Sequence, residues 1–375
     1  MNQMKCGTSS CASFIPGCGQ PSILGIFFVA VPKLANARGL GGVKIVMSEK
    51  MDNSVSARFI GIDSIVYGVE DMDLCHRFFD DWGLRTTKRS ADESVLETRQ
   101  GPCIVLRNLN SSDFSFPARE PGSTLREVVW GVVAKQDLDI IAEELARDRT
   151  VKRSADGSVH SLDPFGYGIG FKLWPHASVQ ATHNIDPGST QVNFVGSRKR
   201  INEPAIHYSR AEPTRIGHVV FEMSGPDDLA KGEDFYLNRL KFSASDRYTG
   251  SGLFCRCAAE SDHHNVALLT TRHKRTQFEH VAFEVRDIHE VFGGGLHFAE
   301  HGWETIVGPG RHKVSSAYFW YFRNPAGGQV EYFSDTDFLN AQWKPRSLPP
   351  RPDTIAEWAM FDGVQRFKGF RRSEG

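Results

Sequence analysis

Arg215-Ile216-Gly217-His218-Val219-Val220-Phe221 is a short, apolar, β-branched stretch that reads as a strand, and the chain carries its pattern twice. The earlier copy is Ile62-Asp63-Ser64-Ile65-Val66, which corresponds to Ile216-Gly217-His218-Val219-Val220. Two further correspondences follow in the same order. Leu125-Arg126-Glu127-Val128-Val129-Trp130 matches Phe278-Glu279-His280-Val281-Ala282-Phe283, and Asp163-Pro164-Phe165-Gly166 matches Asn324-Pro325-Ala326-Gly327. An internal repeat of this kind means one supersecondary plan used twice. In each half the order is strand, helix, several strands, strand, helix, hairpin, so each half divides into two short β-α-β-β-β units. The helices are expected over Asp71–Trp82, where Met72, Cys75, Phe78 and Phe79 fall at helical spacing, over Leu138–Leu145 and Asp227–Leu240, and in part over Ile288–His301. Tyr318–Phe333 is expected to be a hairpin turning at Asn324-Pro325-Ala326-Gly327-Gly328.

The fold class is therefore α+β with two tandem domains. The expected divisions are an extension over 1–57, a first repeat domain without metal over 58–175, a polar connector over 176–213, a metal-binding domain over 214–338 and a tail over 339–375. Pro345, Pro349, Pro350 and Pro352 mark that tail, which is expected to wrap its domain or meet a neighbouring subunit. In the extension, Ile23–Val31 is apolar but too short to span a bilayer. Ala35-Asn36-Ala37 resembles a signal-peptidase site, yet Pro16, Cys18 and Pro21 precede the apolar run and Lys5 alone supplies basic charge. The preferred reading is a disordered segment, or a true start at Met47 or Met51.

A length of 375 residues with 40% hydrophobic and 24% charged residues suits a soluble two-domain protein. The formal net charge of -1 supplies no global field for nucleic acid or an anionic membrane, so neither is an expected partner. The seven cysteines are odd in number and form no CxxC pair, which gives a zinc ribbon no support. They are read as reduced thiols of a cytoplasmic protein.

Superposing the two copies exposes an asymmetry. Three positions of the second half carry metal-ligand side chains: His218 on the first strand, His280 on the fifth and Glu331 at the end of the hairpin. Their counterparts in the first half are Ser64, Glu127 and Gly170. A single histidine on an apolar strand is usually a satisfied core residue, and a carboxylate in the run Val330-Glu331-Tyr332-Phe333 would be costly to bury alone. Occupying equivalent slots of a repeated frame, the three make a coherent ligand set. Two imidazoles and one carboxylate on one face of iron(II) leave positions open for a chelating substrate and O2. His263 and His264 are adjacent, so on a strand only one of them enters the pocket, and the residues alone do not choose. Period-two alternation puts Tyr321 on the face of Phe319 and Arg323. The other histidines, His160, His297 and His301 among them, are read as ordinary structural or surface residues.

Over roughly residues 58–350 the sequence resembles the vicinal oxygen chelate superfamily and, within it, the type I extradiol dioxygenases. IGHVVFEM at 216–223, FEHVAFEV at 278–285 and NPAGGQVEYF at 324–333 resemble the family's three ligand segments. SDHHNVALL at 261–269, GPGRH at 308–312 and the tyrosine ten positions before the glutamate match as well. The resemblance implies paired βαβββ modules forming a partly open β-barrel around the site. It implies iron(II), or manganese(II), held by His218, His280 and Glu331. It places an acid–base residue at His264, with His312 and Tyr321 as hydrogen-bond donors to developing oxyanions. The implied reaction is cleavage of a catechol-type aromatic diol beside its two hydroxyls, with O2 as co-substrate, in a homo-oligomer. The alternatives are an oxygenase of the same frame similar to 4-hydroxyphenylpyruvate dioxygenase, and a ligand-binding or resistance protein. A glyoxalase drawing ligands from both halves is disfavoured by Ser64 and Gly170.

Overall fold

The computed structural model describes residues 56–176, 195–196, 198, 200–205, 207–270 and 274–360. The apolar run Ile23–Val31, Met47, Met51, Cys6, Cys11, Cys18, His183, His273 and residues 361–375 lie outside the described residues, as does much of the expected connector.

The first half alternates strands and helices in the expected order. β1 (Phe59–Val69), α1 (Met72–Asp81), β2 (Arg85–Arg89), β3 (Glu93–Glu97) and β4 (Cys103–Asn108) make one unit. β5 (Thr124–Val132), α2 (Lys135–Leu145), β6 (Lys152–Arg153), β7 (Val159–Leu162) and β8 (Gly168–Leu173) make the next. The strands join in one sheet of order β2-β3-β4-β1-β5-β8-β7-β6. α1 begins where the Asp71 side chain accepts the Leu74 N–H, and it buries Cys75, Phe78 and Phe79 on the stripe read from the sequence.

The second half repeats the plan. β9 (Arg215–Met223), α3 (Pro226–Glu233), β10 (Ser243–Tyr248), β11 (Gly252–Arg256), β12 (Ser261–Asp262) and β13 (Val266–Thr270) come first. β14 (Gln277–Glu284), α4 (Ile288–Glu300), β15 (Thr305–His312), β16 (Tyr318–Arg323) and β17 (Gln329–Ser334) follow. The expected helix over Asp227–Leu240 is α-helical only to Glu233 and continues as a π-helical stretch, Asp234–Arg239. The wider turn buries two consecutive aromatics, Phe235 and Tyr236, against the core, which α-helical spacing alone would separate.

The tail wraps its own half. β18 (Phe338–Leu339) pairs with β12, β19 (Arg346–Leu348) runs parallel to β10, and after α5 (Pro352–Ile355) the strand β20 (Ala356–Ala359) pairs with β15. The large sheet is therefore ordered β19-β10-β11-β13-β9-β14-β17-β16-β15-β20, with tail strands on both edges. These additions protect edge backbone that would otherwise be unpaired.

The two sheets share a register as well as an order. Val66 faces Glu127 across β1 and β5, as Val220 faces His280 across β9 and β14. Val129 lies beside Gly170, as Ala282 lies beside Glu331. The strand β7 sets His160 opposite Gly170, as β16 sets Tyr321 opposite Glu331. Even the register shifts coincide: one falls between Ile62 and Ser64 and its counterpart between Ile216 and His218. An apolar core runs through both halves, and Trp82 of the first stacks on Tyr332 of the second with ring centroids 3.4 Å apart.

Candidate metal centre

β9 and β14 pair through two bulges that aim the site. One skips Gly217 between the pairs Phe283–Ile216 and Ala282–His218; the other skips Glu279 between Phe278–Phe221 and His280–Val220. A bulge breaks strict alternation and re-aims the side chains beside it. At the first, Gly217 lets the Phe333 ring approach so closely that an added Cβ would lie 2.3 Å from it. At the second, consecutive residues Glu279 and His280 come into contact, the His280 Nδ1–H donating to Glu279 Oε2. Gln329 Nε2 holds the other oxygen of Glu279 at 2.7 Å.

Three atoms converge at the centre. His218 Nε2 lies 3.0 Å from Glu331 Oε2 and 3.2 Å from His280 Nε2, and His280 Nε2 lies 3.2 Å from Glu331 Oε2. Adjacent ligands of an octahedral metal with bonds of roughly 2.1 Å stand about 3.0 Å apart, so the triangle has the size of one coordination face. Glu331 is fully buried, and its Oε1 has no hydrogen-bond partner among the described residues; His312 Nε2 stands 3.6 Å from it. A buried carboxylate oxygen without a partner is costly, and a cation removes that cost. Burial works against a charged His280, but Glu279 and Glu331 outweigh it and hold the imidazole up at about 10. Surroundings that retain a proton there will equally retain a metal ion, which displaces it. The donor set and its spacing thus fit a divalent metal.

His263 and His264 do not lie on a strand. They sit in the bend between β12 and β13, so both are buried without facing opposite sides of a sheet. His264 packs on His218 with ring centroids 4.1 Å apart, while His263 turns away toward Asp246 on β10. Asp246 Oδ2 accepts from His263 Nε2 at 2.9 Å, and the two Nδ1 atoms of His263 and His264 are 3.2 Å apart. The acceptor Asp246 fixes the tautomer: His263 carries its proton on Nε2, so its Nδ1 accepts from His264 Nδ1–H. That leaves His264 Nε2 as a basic nitrogen. Burial, reinforced by the neighbouring imidazoles, drives His264 well below its ordinary range and keeps it neutral. Arg346 of β19 closes the chain of contacts by gripping Asp246 through Nε and Nη2.

On the far side, Tyr321 stands directly opposite Glu331 across the hairpin. Its hydroxyl is 3.0 Å from His312 Nε2, and His312 Nδ1–H donates to the Ile355 carbonyl of α5 at 3.1 Å. Nε2 is therefore the acceptor and the tyrosine O–H the donor. Phe319 stacks beneath His312 with centroids 4.1 Å apart.

All six sequence-selected residues, His218, His264, His280, His312, Tyr321 and Glu331, thus meet around one point. Glu279, Asp246, Arg346 and Ile355 were not singled out, and His263 stood as the alternative to His264. Glu279 sits beside a ligand in the sequence, but only the bulge brings its carboxylate to the ring; Asp246 and Arg346 lie on strands with no patterning that separates them from surface charge. In the first half the equivalent slots hold Ser64, Glu127 and Gly170, with His160 in the place of Tyr321, donating from Nδ1 to Glu127 at 2.7 Å. A Cβ on Gly170 would lie 3.0 Å from Glu127 Oε1, so that half has closed over its centre.

Residues 215–332 match the profile of the Glyoxalase/Bleomycin resistance protein/Dioxygenase superfamily. Metapyrocatechase 2 of Cupriavidus necator is 28% identical over 204 residues, 54% of this chain and 61% of that protein, so the match spans about three fifths of the relative's length. A protein named manganese-dependent 2,3-dihydroxybiphenyl 1,2-dioxygenase, from Geobacillus genomosp. 3, is 21% identical over 67% of this chain and 82% of its own. The solved Mn(II)-bound glyoxalase from Novosphingobium aromaticivorans superposes with a TM-score of 0.60 at 19% identity, covering 80% of this chain and 91% of the other, and shares the fold. The converging imidazoles and carboxylate thus stand within the part of the chain, residues 215–332, that is similar to the Glyoxalase/Bleomycin resistance protein/Dioxygenase superfamily.

Proposed function

We propose that this protein is an extradiol dioxygenase that opens a catechol-type aromatic diol with O2, using iron(II), or manganese(II), held by His218, His280 and Glu331. The observation that carries the reading is the buried triangle of Nε2, Nε2 and Oε2 atoms 3.0–3.2 Å apart, flanked by a neutral histidine on one side and a tyrosine–histidine pair on the other. The relatives named metapyrocatechase and 2,3-dihydroxybiphenyl dioxygenase support the substrate class. We assign the reaction to residues 214–338, with residues 58–175 as the domain without the catalytic metal.

A bound metal would acidify the diol and bring it and O2 into contact for electron transfer. The chain's own residues handle protons and geometry. His264 Nε2, kept unprotonated by the relay through His263 to Asp246, accepts a proton from a substrate hydroxyl and returns it when the oxygen–oxygen bond breaks. His312 Nε2 holds the Tyr321 hydroxyl in place, and Tyr321 turns its single hydroxyl hydrogen from that nitrogen to negative charge developing on oxygen. The apolar wall of Val220, Tyr248, Phe254, Ala267 and Val314, with Ile355 packed on it from the tail, excludes water from one flank.

The test is anaerobic loading with iron(II) or manganese(II), then air and a panel of catechols that includes 2,3-dihydroxybiphenyl. Oxygen uptake together with a yellow, pH-sensitive product is the expected result. A loaded protein that consumes no oxygen with any diol would overturn the assignment and direct attention to the oxygenases that act on α-keto acids.

A further inference from the structure

We propose a second, separate metal site, for zinc, at Asp81, His297 and His301, which ties the first half of the chain to the second. The three side chains each present a ligand atom within 4.8 Å of the other two. A tetrahedral zinc with bonds of 2.0–2.1 Å needs neighbouring ligands about 3.3 Å apart, a closing movement that rotamer adjustment supplies. His297 and His301 stand one turn apart at the C-terminal end of α4, their ring centroids 4.0 Å apart, and Asp81 comes from the last residue of α1. Two imidazoles and one carboxylate leave a fourth position for water, and that mixed nitrogen and oxygen set suits zinc.

Two contacts around the ligands go beyond chance proximity. His301 Nδ1–H donates to the His297 carbonyl at 2.7 Å, which fixes the tautomer and leaves Nε2 as the ligand atom. Trp303 Nε1–H donates to Asp81 Oδ2 at 2.9 Å, which orients the carboxylate and leaves Oδ1 for the metal. The negative end of the α4 dipole adds a field that favours a cation. Partial burial also pushes His297 toward its neutral, ligating form. The same region already joins the halves, since Trp303 packs on Phe78 of α1 and on Phe298 of α4. Zinc here would cross-link two helices from different repeats and stabilise the assembly in proportion to its occupancy.

The experiment titrates zinc into the iron-loaded protein and into His218→Ala, with metal content measured after dialysis and thermal unfolding followed in parallel. The expected result is one zinc per chain beyond the iron, kept in His218→Ala and accompanied by a rise in Tm. His301→Ala, an exposed substitution, should weaken that zinc tenfold or more and abolish the Tm rise while iron content is unchanged. Cobalt(II) in place of zinc should give the intense visible bands of a tetrahedral ion in the wild type and not in His301→Ala. Equal zinc content in wild type and His301→Ala, or loss of all zinc in His218→Ala, would overturn the proposal.

Discussion

At the scale of single residues, the proposed centre separates ligation from proton handling. His218→Ala, His280→Ala and Glu331→Ala each remove one corner of a triangle 3.0–3.2 Å on a side, and each should lose tight metal binding, measured as metal per chain after gel filtration. His264→Ala leaves the triangle whole; metal content should hold while turnover falls by roughly 10²–10⁴, the usual worth of a positioned acid–base group. A ligand variant that keeps its full complement of iron would take that residue out of the centre. Asp246→Asn tests the relay. Arg346 and His263 both donate to Asp246, so an amide must turn one N–H against a donor, and the tautomer of His263 is no longer fixed. Turnover should drop at least tenfold with metal retained, and its pH profile should shift. An unchanged profile would mean that His264 sets its own protonation. His218, His280 and Glu331 were legible because they stand where the first copy has Ser64, Glu127 and Gly170, whereas His264, His312 and Tyr321 were reached through the family resemblance. Asp246 was not, because a buried aspartate on an edge-proximal strand carries no pattern until the fold shows that His263 faces it.

At the scale of elements, what the sequence made plain was the periodic and what it hid was the irregular. β1, β5, β9, β14 and the β16–β17 hairpin are apolar runs of strand length and emerge close to their expected bounds. β15 is Gly- and Pro-interrupted, β10 is polar, and β19 and β20 are short edge additions, so local composition gives them no strand signature; they form because an edge is there to pair with. The bulges were equally hidden, yet they decide the site. Gly217 is the bulge residue of β9, and only a missing Cβ lets Phe333 lie against it. Gly217→Ala should destabilise the protein by about 1–3 kcal/mol, as overpacking does, and should also weaken metal binding because His218 follows on the same strand. Denaturant midpoint and metal affinity should therefore fall together. A loss of stability with unchanged affinity would show that the bulge supports the sheet without aiming the ligand.

At the scale of the whole molecule, the two halves are coupled by the turn Asp163-Pro164-Phe165-Gly166, whose counterpart in the second half forms the hairpin leading to Glu331. Phe165 packs against α3 at Gly232, and the Tyr167 hydroxyl accepts the Phe278 N–H of β14. Asp163 holds the turn by accepting the Phe165 and Tyr167 N–H groups at 2.8 and 2.9 Å, but it does so deep in the interface, and burial pushes its carboxyl up to about 7 against those hydrogen bonds. A folded-state value above that of the unfolded chain means that the native protein holds the proton more tightly. The stabilisation is complete below about pH 4 and is lost as pH rises through about 7, because in that window the native state binds one proton more than the unfolded state. Asp163→Asn keeps the acceptor oxygen and removes the titration. The difference in unfolding free energy between wild type and Asp163→Asn, followed by denaturant titration from pH 4 to 8, should move steadily in favour of the variant as pH rises. Parallel curves across that range would mean that the turn buries an ionised aspartate, with its backbone donors strong enough to keep the charge inside the joint between the repeats.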